Sequence, residues 1–66
     1  MNYTLVKGHF RTVFTKLPEG GYNVTQYQFM PGHLNWTPVS GKNVSEEEAK
    51  VLTQKLARQE YYLSKA

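Results

Sequence analysis

The chain has 66 residues and a mass of 7.6 kDa, the size of one small domain, and such a domain buries only about 60% of the surface its unfolded form exposes. It has no Cys, which excludes disulfides, thiolate metal sites, Fe–S clusters and cysteine nucleophiles. Its net charge of +3 is carried by residues 1–45, where Lys7, Arg11, Lys16 and Lys42 face Glu19 alone; residues 46–66 are balanced, a mild pointer to an anionic partner.

Met1-Asn2-Tyr3-Thr4 has neither the basic start nor the apolar run of a signal peptide. No stretch approaches the roughly 18 apolar residues that a membrane span needs. The expectation is a cytoplasmic protein with no membrane partner. The sequons at Asn2, Asn23, Asn35 and Asn43 are then chance matches.

Tyr3 to Lys7 reads as a strand, separate from the next run or continuous with it, with Gly8 as a bulge or break. His9 to Leu17 is rich in Phe, Thr and Val and extends this first strand region to residues 3–17. Pro18-Glu19-Gly20-Gly21 is a turn, because Pro fixes φ and Gly tolerates positive φ. Tyr22 to Met30 is the matching strand of a hairpin. Pro31-Gly32 marks a second turn, and Leu34 to Val39 a short third strand. Pro38 cannot donate to a ladder, which puts that strand at an edge or ends it there. Ser40-Gly41-Lys42-Asn43 leads into the helix as a loop.

The helix is predicted over 46–63. Ser45 is its N-cap, Glu48 completes a capping box, and Val44 and Ala49 hold the two staple positions. Glu46, Glu47 and Glu48 lie at the positive end of the helix dipole. Ala49, Leu52, Leu56 and Leu63 form a narrow apolar stripe. Lys50, Gln54, Arg58, Tyr61 and Lys65 form a second stripe, polar and basic. The predicted architecture is α+β: a three-stranded antiparallel meander, four-stranded if residues 3–7 stand apart, packed on one C-terminal helix in the order β-β-β-α.

Pairing Leu17 with Tyr22 groups Phe10, Thr12, Phe14, Thr25, Tyr27 and Phe29 on one face. Arg11, Val13, Thr15, Leu17, Tyr22, Val24, Gln26 and Gln28 fall on the other. One helix covers one face, and the first has the larger area to bury. Apolar or aromatic surface therefore stays exposed on the sheet, and an exposed apolar patch points to a partner.

Catalytic chemistry finds little support. Two histidines, His9 and His33, have only glutamates as further metal ligands and lack H-x-x-x-H or H-E-x-x-H spacing. No Asp exists to orient them, and no G-x-S-x-G elbow presents a serine. Glu46 to Glu48 read as a helix start rather than as an acid–base pair. Gly20-Gly21 and Gly41-Lys42 do not fit a phosphate loop. The expectation is a protein that is not an enzyme and uses no metal or cofactor.

Two binding surfaces remain. Lys7, Arg11, Lys16 and Lys42, with Tyr22 and Trp36 to stack on bases, form a candidate nucleic-acid face. In outline the predicted meander and helix resemble the arm-binding domains of certain phage-type integrases, which implies DNA binding by the sheet; no motif is shared. Trp36, Tyr61, Tyr62 and Arg58 form a candidate protein interface, rich in the residue types that interfaces favour. Charge is modest for duplex binding, so a contact with another protein or with a second copy ranks first, and nucleic acid second. Size, compactness and lack of Cys suit a bacterial or phage accessory protein.

Overall fold

The computed structural model describes residues 2–30, 32 and 35–64. Pro31 of the second turn, His33, Leu34 at the start of the third strand, and Lys65 of the polar stripe lie outside the described residues.

Five strands form one antiparallel sheet. β1 (Tyr3–Lys7), β2 (Phe10–Lys16), β3 (Tyr22–Met30) and β4 (Asn35–Val44) precede the helix α1 (Glu46–Arg58), and β5 (Tyr62–Leu63) follows it. Their order across the sheet is β4-β3-β2-β1-β5. The class is α+β, but the predicted three- or four-stranded β-β-β-α order is overturned. With it goes the outline on which the likeness to integrase arm-binding domains rested. Three local causes account for the difference.

The first is Gly8. It takes φ 55° and, with His9, makes a two-residue loop that lets Lys7 pair with Phe10. Gly at the first loop position is what a type II′ hairpin turn requires. Residues 3–17 are therefore two strands folded on each other.

The second is the β2–β3 connection. Gly20 and Gly21 both have positive φ, at 104° and 79°. Leu17 is drawn into the turn, its carbonyl accepting from the Gly20 N–H at 3.1 Å. Pairing then runs Lys16 to Tyr22, one residue away from the expected Leu17 to Tyr22. A one-residue slip exchanges the faces of a strand. Tyr22 and Val24 join Phe14, while Thr25, Tyr27 and Phe29 join Arg11 and Val13.

The third is the C-terminal end of α1, which stops at Arg58 rather than 63. Glu60 adopts φ 69°. The Glu60 N–H donates to the Ala57 carbonyl and the Tyr61 N–H to the Leu56 carbonyl, at 3.1 and 3.0 Å. This is the Schellman pattern, here without its usual glycine. The chain turns away, and Tyr62 and Leu63 pair with Val6 and Leu5 of β1.

The helix start follows from its sequence. The Ser45 hydroxyl accepts from the Glu48 N–H at 3.1 Å, satisfying a donor that the helix itself leaves unpaired. Val44 and Ala49 are both buried. β4 runs through residues 40–43, the expected loop, because Asn43 and Lys42 continue the ladder opposite Asn23 and Val24. Val39 is the extra residue at a register shift that sets Pro38 opposite Tyr27 on the outermost strand, where its missing donor costs no ladder bond.

The core lies on one side of the sheet. Leu5, Phe14, Val24, Val44 and Ala49 are buried, with Tyr3, Tyr22, Leu52, Leu56 and Tyr61 packed around them. Tyr3 stacks on Phe14 at 4.6 Å between ring centroids, and its hydroxyl is hydrogen-bonded to that of Thr53 at 2.8 Å. Gly21 is buried beside the Val44 backbone, where a Cβ would collide with the carbonyl oxygen.

Candidate functional site

Among the described residues no layer covers the side of the sheet away from the helix. Side chains alternate along a strand, so the registers assign this face residue by residue. One row crosses all five strands: Tyr62, Val6, Arg11, Tyr27 and Pro38. Beyond it, at one end, lie Phe29 and Trp36, paired on β3 and β4.

Ring contacts bind this end together. The Arg11 guanidinium lies over the Trp36 ring, 4.3 Å from its centroid. Trp36 meets Phe29 edge-on at 5.5 Å, and Phe29 stacks on His9 at 6.2 Å. Arg11 is half-buried, and its Nε is buried with no hydrogen-bond partner. The stack holds the guanidinium plane, and among the described residues no carboxylate pairs with its charge. Among the described residues the ion pair present is Lys16 with Glu46, on the other face.

The opposite end of the same face is polar. Thr15, Asn23, Thr25 and Asn43 share it. Asn23 Nδ2 donates to Asn43 Oδ1 at 3.0 Å, and the Thr25 hydroxyl donates to Asn23 Oδ1 at 2.7 Å. The two ends thus differ in chemistry although the same strands build both.

The residues singled out in the sequence do not form one site. Arg11, Trp36 and Tyr62 share the helix-free face. Lys16 lies on the helix side, paired with Glu46 and 5.1 Å from the Tyr22 ring centroid. The hydrogen bond from Lys16 holds the Glu46 carboxyl below its ordinary range, and its counterpart raises the Lys16 ammonium above its own. Tyr22 is spent in the core, edge-on to Tyr3 and Phe14 at 5.8 and 6.4 Å. Lys7 sits over the Tyr61 ring at 5.8 Å, and Tyr61 itself packs against the core. Lys42 is on the helix side of β4, and Arg58 is exposed in the last turn of the helix. The polar helix stripe loses Tyr61 and the apolar stripe loses Leu63, since both follow the helix end.

Sequence reasoning missed Tyr27 and Phe29 as exposed-face residues, because the slipped register placed them with Phe14. The signal was the Gly20-Gly21 pair. Two positive-φ residues in succession lengthen the turn and move the pairing by one.

No three His, Cys, Asp or Glu side chains gather among the described residues. None of the described helices is long and apolar enough to cross a membrane. Comparison with protein-family models, with curated proteins and with solved structures finds no match.

Proposed function

We propose that this chain is a non-catalytic binding module of the cytoplasm that contacts another protein through the helix-free face of its sheet. One observation carries the reading. An antiparallel sheet with one covered face ordinarily presents polar side chains on the other. Here one end of the open face carries Val6, Tyr27, Phe29, Trp36 and Tyr62 instead. Aromatic rings and Arg are the side chains that interface centres favour.

Arg11, the one charged side chain that the registers place on this face among the described residues, narrows the partner. It lies within the aromatic end, and among the described residues it has no acid paired with it. Glu19 belongs to the β2–β3 turn, Glu46 to Glu48 to the helix start and Glu60 to the helix end. A second copy stacked face to face brings two Arg11 side chains together with nothing to neutralise them. A partner that offers a carboxylate amid apolar side chains fits better, since a guanidinium fork recognises carboxylate in two parallel hydrogen bonds. Nucleic acid is disfavoured by the scatter of the cations. Lys16 is paired, and Lys7 and Lys42 lie on the helix side, so of these four cations only Arg11 lies with the open-face rings.

Site-specific photo-cross-linking in source cells tests this. A photoreactive side chain replaces Tyr62 on the open face or Val51 on the outer face of the helix. The two positions are equally accessible, at 64% and 63% of full exposure. The expected result is a discrete protein adduct from position 62 alone, lost with Arg11→Glu. Equal adducts from both positions contradict it. So does an adduct removed by nuclease, or salt-sensitive oligonucleotide binding that Arg11→Glu abolishes.

A further inference from the structure

The helix covers the sheet unevenly. Between α1 and the β3–β4 side of the sheet it leaves a groove of about 300 Å³, at the lower end of the roughly 300–1,000 Å³ typical of ligand pockets. Its two walls differ. Leu52 and Leu56 of the helix, with Val24, make the apolar side. Thr12, Gln26 and Ser40 form a polar row across three strands, each opposite the next in register. Lys42, exposed on β4 opposite Val24, also lines the groove.

The Thr12 hydroxyl is buried without a hydrogen-bond partner, so a ligand reaches the row through Gln26 and Ser40, which keep exposed surface. Lys42 has no carboxylate partner among the described residues. An apolar wall facing a hydroxyl–amide row, with one exposed, unpaired cation beside it, matches a ligand with an apolar body and a single anionic head.

We propose that this groove binds a small amphipathic monocarboxylate. The apolar body lies along Leu52 and Leu56. The carboxylate accepts from the Lys42 ammonium and from the Gln26 and Ser40 side chains of the polar row. This site lies on the helix side of the sheet, so it stands or falls independently of the protein contact on the open face.

The test is a titration of the whole chain with octanoate below its micelle concentration, followed residue by residue in backbone-amide NMR spectra, with octan-1-ol as the uncharged comparator. Saturable shifts at Thr12, Gln26, Ser40 and Lys42 are expected, with the Trp36 indole unmoved. Lys42→Met should weaken octanoate by about tenfold, as loss of a charged hydrogen bond does, and leave octanol unchanged. Ser40→Ala removes one donor of the row at an exposed position, should melt as the parent does, and should weaken octanoate as well. Absence of saturation at millimolar octanoate overturns the proposal. So do octanol binding as tight as octanoate, shifts centred on the Trp36 face, or octanoate affinity untouched by Lys42→Met.

Discussion

The two faces of the sheet are made by the same strands and differ in what their aromatics touch. On the helix side, Tyr3, Phe14 and Tyr22 meet each other and the helix, and Phe14 has no exposed surface at all. On the open side, Phe29 and Trp36 meet a histidine, a cation and solvent. The first arrangement removes apolar area from water and holds the fold together. The second keeps rings at the surface, where they gain little for stability and are available to a partner. A chain of 66 residues has few rings to spare, so rings left outside the core call for another use.

Substitutions across the two faces should separate these roles. Phe14→Ala removes the centre of the core and should cost about 3–5 kcal/mol. That rivals the whole stability expected of so small a domain, roughly 5 kcal/mol. Circular dichroism should find most of the stability gone, with Tm lowered by well over ~10 °C; a cooperative melt close to the parent's would mean that the core lies elsewhere. Gly21→Ala comes next. Its positive φ and the clash with the Val44 carbonyl should together cost about 2–3 kcal/mol by urea denaturation. A neutral result would contradict the observed β2–β3 turn, and with it the register that sorts the faces.

Glu60→Gly acts in the opposite direction. Gly suits the left-handed residue of the Schellman turn, so the variant should gain about 1 kcal/mol and raise Tm by about 4–8 °C. The smallest effect is expected from Glu46→Gln at the exposed Lys16 pair. Glu46 has a lowered pKa in the folded state, so its contribution is present above the ordinary carboxylate range and fades as pH falls through the folded value. Lys16 has a raised pKa, so its contribution holds below the ordinary lysine value and fades as pH rises through the folded one. Melting curves of parent and variant should therefore differ slightly at neutral pH and converge in acid. A constant gap at all pH values would mean that the pair is not the cause.

The sequence was most readable where one residue type enforces one local geometry. Ser45 and Glu48 marked the helix start, and Pro38 marked a position on an edge strand. It was least readable where several residues could fill the same role. Gly8 is as compatible with a bulge as with a hairpin turn, and only the pairing of Lys7 with Phe10 decides between them. The helix end at Glu60 carries no glycine, so nothing local announces it; pairing of Tyr62 with Val6 and packing of Tyr61 on the core override helix propensity there. The site was partly legible. Arg11 and Trp36 were both singled out, but their contact depends on the register and on the shift at Val39, which no local pattern specifies.

The measurement that bears most directly on the division between the faces is made on Trp36→Ala. Its stability is determined by thermal unfolding, and its partner adduct by cross-linking from position 62. Loss of one cation–π contact and one aromatic pair should cost about 1–2 kcal/mol. The variant should therefore fold and melt cooperatively, yet give no adduct. A loss of stability as large as that of Phe14→Ala would make Trp36 a core residue, and an undiminished adduct would remove the open face from the contact; either result contradicts the proposed division.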